Sequence, residues 1–118
     1  AFGSCRNLQS IVLPSCVVIG SSAFSNCYEL SLVDIGGSSC TISANVFKYC
    51  YNLLDVYLRG SSIYSLTNAN AFSSTPISNY TTSTGGVYGS IHVPASMLAT
   101  YIASTNWVTY SSRFVGDL

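Results

Sequence analysis

The chain has a single histidine, His92, so acid–base catalysis would have to use either this residue or carboxylates alone. The four carboxylates are spread along the chain at Glu29, Asp34, Asp55 and Asp117. No serine lies in a Gly-x-Ser-x-Gly context, and the sequence has no Gly-rich phosphate-binding motif. The sequence therefore predicts no catalytic residue, and a protein that is not an enzyme.

Five cysteines are the other residues with chemical potential, either as metal ligands or as disulfide partners. Cys5, Cys27 and Cys50 recur at one spacing and Cys16 and Cys40 at a second, without the close pairs that zinc sites usually contain. Their odd number argues against complete pairing. We expect buried, reduced thiols without a metal or other cofactor; a disulfide between adjacent repeats is the alternative.

These residues belong to a repeated sequence pattern. Ala1–Leu8, Ala23–Leu30 and Val46–Leu53 share a small or apolar residue, then Phe, two free positions, Cys, two free positions and Leu. A degraded fourth copy begins at Ala71-Phe72, and the phenylalanines of the four copies lie 22, 23 and 25 residues apart. Such periodicity is typical of a solenoid, in which each unit buries its apolar side against its neighbours.

An L-x-x-I-x-L pattern predicts parallel strands over residues 8–13, 30–35, 53–58 and, after an insertion, 90–93. Alternation along a strand sends Ile, Val and Leu inward and leaves the intervening side chains in water. Stacking then aligns one outward row, Val12, Asp34, Tyr57 and His92, beside a second row, Ser10, Leu32, Asp55 and Ser90. From these rows we take four residues as the candidate ligand-binding row: Asp34, Asp55, Tyr57 and His92.

The other segments are expected to connect and close the repeats. The spacing of Phe-x-x-Cys predicts one or two helical turns with Phe and Cys in the core. Pro94 and the apolar positions Leu98, Tyr101 and Ile102 predict a helix near residues 95–104. Large apolar side chains then follow that are expected to cover the last repeat: Trp107, Tyr110, Phe114 and Val115.

The pattern closely resembles the BspA-like leucine-rich repeat, a unit of about 23 residues. Residues 8–27 match it almost position by position, including Pro14, Gly20 and Phe24. The resemblance implies one domain over residues 1–118, a mainly β, right-handed solenoid with short helical turns and a C-terminal helical cap. Repeats would occupy about residues 1–78, an inserted loop about 79–89, and the last strand and cap 90–118.

Composition narrows the range of partners. Four basic residues balance four acidic ones, and charged residues make up only 7% of the chain, so nucleic acid and anionic membranes are disfavoured. No apolar run approaches the roughly 18 residues of a membrane span, so membrane insertion is not predicted either.

The predicted function is non-catalytic binding of a protein or a glycan. The resemblance implies an extracellular or cell-surface location in bacteria and adhesion to host matrix proteins or to other cells. The alternative is a structural or assembly subunit, such as part of a surface appendage or phage fibre, that stacks end to end. The first repeat begins without a preceding strand, so its apolar side would form the assembly edge: Phe2, Leu8, Ile11 and Leu13.

Overall fold

The computed structural model of the chain describes residues 5–118 and places eight short strands in two parallel sheets. The larger sheet has the order β1-β3-β5-β7-β8 and the smaller one β2-β4-β6, so successive strands of the first six alternate between the sheets. In chain order the strands are β1 (Ser10–Leu13), β2 (Val18–Ile19), β3 (Leu32–Ile35), β4 (Thr41–Ile42), β5 (Asp55–Leu58), β6 (Ser65–Leu66), β7 (Ser90–His92) and β8 (Phe114–Val115).

The larger sheet confirms four parallel strands in the predicted register, although the first three begin two residues later than predicted and the fourth ends one residue earlier. Asp34 pairs with Val12 on one side and with Tyr57 on the other, and Tyr57 in turn pairs with His92. The alternating residues of β3 and β5 that face inward are fully buried, whereas their neighbours are half-exposed. Alternation therefore separates an apolar core from an outward row of polar side chains.

The predicted helical turns at Phe-x-x-Cys are wrong for the second and third copies, which form hydrogen-bonded turns instead. The turn of the first copy lies outside the described residues. In the fourth copy a 3-10 turn over Ala69–Phe72 precedes and ends at the phenylalanine, and the residues after it are not helical either. The reason is a left-handed residue two positions after each phenylalanine, at Asn26 (φ 61°), Tyr49 (φ 66°) and Ser74 (φ 58°). A positive φ at this point cannot continue a right-handed helix.

Phe and Cys nevertheless face the core as predicted. The rings of Phe24, Phe47 and Phe72 form a stack with centroids 5.8 and 5.4 Å apart. Cys27 and Cys50 are completely buried beside them. Thr75, where a fourth cysteine would fall, is also buried, and its hydroxyl donates to the carbonyl of Phe72 at 2.7 Å. This bond satisfies the hydroxyl in an otherwise apolar interior.

The C-terminal segment is more elaborate than the single helix predicted near residues 95–104. That region contains a 3-10 turn over Ala95–Met97 and the helix α1 (Leu98–Ala103). A second 3-10 segment over Trp107–Arg113 leads into β8, which pairs in parallel with β7. Trp107 and Tyr110 are buried and Phe114 is half-buried, as expected, but Val115 is 39% exposed because it faces outward on β8.

Side chains of this segment bind the free edge of β6. The indole nitrogen of Trp107 donates to the carbonyl of Tyr64 at 2.7 Å, and the hydroxyl of Tyr101 accepts from the amide of Tyr64 at 2.9 Å. The amide group of Asn106 donates to the carbonyl of Leu66 at 2.7 Å. Backbone groups at an exposed strand edge would otherwise be open to pairing with another chain.

The first repeat is less buried than those that follow. Leu8, Ile11 and Leu13 are half-exposed, whereas the equivalent residues of the next two repeats are fully buried. Phe2, the remaining residue of the predicted assembly edge, lies outside the described residues. Within residues 5–118, the inward side chains of the first repeat are thus the least covered of the three.

Candidate functional site

The outward face of the larger sheet carries a continuous group of charged and aromatic side chains. We call this group the polar strip, and it consists of Asp34, Asp55, Tyr57, Arg59, His92 and Asp117. It spans β3, β5 and β7 and extends to the residue two positions after β8. The register of the parallel strands sets its order across the sheet.

Arg59 joins the first two members of the strip. Its Nε lies 2.7 Å from Oδ1 of Asp34, and its guanidinium carbon lies 4.9 Å from the centre of the Tyr57 ring. The hydrogen bond to Asp34 raises the pKa of Arg59 above its already high usual value, so this side chain is a permanent cation. Arg59 is nevertheless 47% exposed, which leaves part of its guanidinium open to a ligand.

Tyr57 and His92 form the centre of the strip. Their rings stack with centroids 4.4 Å apart and an interplanar angle of 13°. The Nε2 atom of His92 lies 2.9 Å from Oδ1 of Asp55, and its Nδ1 atom lies 2.9 Å from Oδ2 of Asp117. Ionised carboxylates only accept hydrogen bonds, so both contacts are hydrogen bonds when the imidazole carries two protons.

This arrangement determines what His92 can do chemically. The side chain is only 13% exposed, and each ring nitrogen already faces a carboxylate. Neither nitrogen is directed at open solvent where a substrate could exchange a proton with it. Because the two carboxylates lie on opposite sides of the ring, they do not converge on a common cation position. Among residues 5–118 no group of three His, Cys, Asp or Glu side chains is arranged to hold a metal ion.

The structure brings together all four residues of the predicted row, Asp34, Asp55, Tyr57 and His92. Arg59 and Asp117 were missed. Arg59 is the charged residue directly after the third L-x-x-I-x-L strand, so its position in the repeat could have indicated it. Asp117 depends on β8, and a strand of two residues is too short to show alternation in the sequence.

A second surface, made of half-exposed aromatic side chains, was also missed. Tyr28 and Tyr51 stack with centroids 5.2 Å apart, and the rings of Tyr51 and Tyr80 lie 4.5 Å apart. The guanidinium carbon of Arg6 lies 5.2 Å from the Tyr28 ring centre. The repeated Cys-Tyr pairs, Cys27-Tyr28 and Cys50-Tyr51, are the sequence signal that could have revealed it.

The cysteines fall in the two predicted rows. Burial raises the pKa of Cys50 to about 12, and it also raises the pKa of Cys27. In the second row the sulfur atoms of Cys16 and Cys40 lie 2.6 Å apart. No disulfide joins these five cysteines, all of which lie within residues 5–118. Cys5 and Cys16 are only half-buried, so the expected burial holds for Cys27, Cys40 and Cys50 alone, and we predict that these three thiols react slowly with thiol reagents in the folded chain.

The chain has the features of a repeat protein. Its sequence repeat places parallel strands in two sheets, and one open face carries side chains that vary from repeat to repeat. Within this class of repeat proteins, the model of the BspA type leucine rich repeat region matches residues 1–87 in six copies. The chain belongs to this family, as its resemblance predicted. No curated protein and no solved structure matches it.

Family membership supports general conclusions about function. Leucine-rich repeats of this type are generally non-catalytic, serve as protein-binding repeats and are typically associated with the bacterial surface. Within the described part of the chain, no helix has the length and apolar character needed to cross a membrane.

Proposed function

We propose that this chain is a non-catalytic recognition module of a secreted or surface-exposed bacterial protein, and that the polar strip binds its partner. In this proposal the repeats wind as a right-handed solenoid and the C-terminal segment caps the last of them. The partner is a protein or a glycan, such as a host matrix component or a molecule on another cell. The observation that carries the proposal is the continuous network from Asp34 to Asp117 across the open face of the larger sheet.

The architecture supports this role because outward and inward side chains are independent. Val33, Val56 and Ile91 fill the core beneath the strip and are fully buried. The outward residues between them can change without altering that core, which is how repeat proteins acquire different partners on one scaffold. Tyr57 and Arg59 are also the residue types that contribute most strongly at protein interfaces.

The chemistry of the strip favours an uncharged polar partner or one with mixed charges. Arg59 is paired with Asp34, and His92 lies between two carboxylates, so the strip does not present a uniform field of one sign. Its exposed carboxylates can accept hydrogen bonds from hydroxyl or amide groups, and the guanidinium can donate them. Glycan hydroxyls and peptide backbones offer both hydrogen-bond donors and hydrogen-bond acceptors. A phosphate backbone would require a net basic surface.

We expect Tyr57→Ala to weaken binding about tenfold or more, since it removes the ring against which His92 stacks and over which Arg59 lies. The partner would first be found by screening the chain against matrix proteins and a glycan array. Its affinity for the wild type and the variant would then be measured by calorimetry. Melting curves for both proteins would verify that the variant is folded.

Tyr88→Ala is the matched control, because Tyr88 is 51% exposed and packs against Arg113 before the start of β7. It should leave the affinity within about twofold. Loss of binding in Tyr51→Ala with full binding in Tyr57→Ala would contradict the proposal and assign the partner to the surface formed by Tyr28, Tyr51 and Tyr80.

One observation favours the assembly role as a second candidate. A groove of about 390 Å³ lies beside the first repeat, and Leu13, Ile19 and Phe24 are among the residues that line it. Val17 and Val18 at its rim are 71% and 62% exposed. A further repeat or a second chain could cover these side chains, as the proposed assembly edge of Phe2, Leu8, Ile11 and Leu13 requires.

Light scattering across a concentration series tests this second candidate. If the chains stack through the groove, the average mass should rise with protein concentration. In Val17→Asp the same rise should require at least a tenfold higher protein concentration. Val108→Asp, at a 53% exposed position in the C-terminal segment, is the control and should associate like the wild type. A wild-type chain that stays monomeric at high concentration would rule out stacking through this edge.

A further inference from the structure

Cys16 and Cys40 form a close pair of thiols in adjacent repeats. Their sulfur atoms lie 2.6 Å apart, well inside the roughly 3.5 Å at which non-bonded heavy atoms attract best. The distance is closer to the length of a disulfide bond, about 2.05 Å. The two side chains therefore already point at each other in the folded chain.

Backbone hydrogen bonds hold both residues in this position. The amide of Cys16 donates to the carbonyl of Gly36 at 3.1 Å, and the amide of Thr41 donates to the carbonyl of Val17 at 2.9 Å. These bonds connect the residues next to each sulfur across the two repeats. Forming a bond between the sulfurs would need only a small adjustment, since the backbone is already in place.

The two thiols differ in their access to solvent. Cys40 is 3% exposed, whereas Cys16 is half-buried and is one of the residues lining the open groove beside the first repeat. An oxidant in solution can reach Cys16 through this groove. In the third repeat Tyr64 directly precedes β6, where Cys40 directly precedes β4, so the pair is confined to the first two repeats.

We propose that Cys16 and Cys40 are an oxidation site at which a disulfide donor, such as oxidised glutathione, forms a cross-link that fastens the first repeat to the second. The Cys16 thiolate attacks one sulfur of the donor, breaks its S–S bond and releases one donor thiolate. The Cys40 thiolate then attacks the Cys16 sulfur of this mixed disulfide and releases the second. The protein loses two electrons and two protons, and the donor gains them as two thiols.

A cross-link at this location would stabilise the first repeat. The first repeat contains the half-exposed Leu8, Ile11 and Leu13, so it gains the least from packing and would be among the first parts to open. A cross-link between residues 24 positions apart restricts the unfolded chain and holds this repeat in place. This inference does not depend on any binding partner.

The experiment is to incubate the folded chain at 25 °C in glutathione buffers of defined potential, block the remaining thiols and map cross-linked peptides by mass spectrometry. We expect a Cys16–Cys40 peptide pair and a Tm about 5 °C or more above that of the reduced chain. Burial raises the pKa of the Cys40 thiol, so the closing step should accelerate as the pH is raised from 7 to 9.

Single variants complete the test. Cys16→Ser and Cys40→Ser should each abolish the cross-link and the rise in Tm on oxidation. Cys5→Ser is the matched control, because Cys5 is also a half-buried cysteine of the first repeat, and it should retain both. The proposal is overturned if oxidation cross-links other cysteines, if it requires denaturant, or if the Cys16–Cys40 bond forms without raising Tm.

Discussion

Replacing Trp107 by alanine is expected to lower the free energy of unfolding by about 3–5 kcal/mol, a large share of the stability of a domain of this size. The indole is 1% exposed and contacts the rings of Phe72, Tyr101 and Phe114. Its removal leaves a cavity and also leaves the carbonyl of Tyr64 without the indole N–H that it accepts at 2.7 Å. Both costs fall at the end of the smaller sheet.

Urea unfolding followed by circular dichroism measures this effect. Two further variants separate the contribution of the indole N–H from that of the ring and provide a control. Trp107→Phe keeps an aromatic ring but removes the donor, and should cost less than the alanine variant by at least about 1 kcal/mol. Val108→Ala changes a 53% exposed neighbour and should stay within about 0.5 kcal/mol of wild type. A loss below about 1 kcal/mol for Trp107→Ala would show that the C-terminal segment does not cap the repeats.

The main features of the fold could be predicted because they depend on patterns that every repeat shares. Alternation identified the inward residues of the strands, and the period then fixed which outward residues become neighbours. Asp34, Tyr57 and His92 could therefore be placed in one row although they come from three separate repeats. In a stacked repeat protein, residues that lie one repeat apart in the sequence become neighbours in space.

Features that depend on single residues could not be predicted in this way. The turns after Phe24 and Phe47 are not helical because of a positive φ at Asn26 and Tyr49, and Tyr is not a residue type that signals such a conformation. The full environment of His92 was missed for a similar reason. It requires Asp117, which is positioned by a two-residue strand that pairs with β7 beyond the C-terminal helix.

The contrast between these two kinds of feature supports the function proposed for the strip. Periodic residues build the core and stay apolar in each repeat, whereas Asp34, Tyr57 and His92 differ in chemical type at equivalent positions. These three outward residues therefore do not contribute to the core that the repeats share. The row is stabilised by its own ion pairs and ring stacking instead. The proposed recognition role accounts for this local organisation.

Phe47→Ala is expected to have a second large effect, lowering the free energy of unfolding by about 3–5 kcal/mol. Phe47 is fully buried at the centre of the phenylalanine stack, between Phe24 and Phe72. Its amide also donates to the carbonyl of Ala71 at 2.9 Å, so the surrounding backbone is tied to the next repeat and cannot easily collapse into the gap. Thermal unfolding should show Tm lowered by more than about 12 °C.

Phe24→Ala is the informative comparison, because Phe24 occupies the same place one repeat earlier but lines the open groove. Because Phe24 lines this groove, the space left by its removal should join the groove rather than form an enclosed cavity, and so it should cost less, about 2 kcal/mol. The difference between the two variants measures how completely the first repeat is covered. Equal losses at low protein concentration would contradict the half-exposed first repeat described above. A Phe24→Ala cost that grows with protein concentration would instead indicate that a second chain covers the groove, as the assembly role requires.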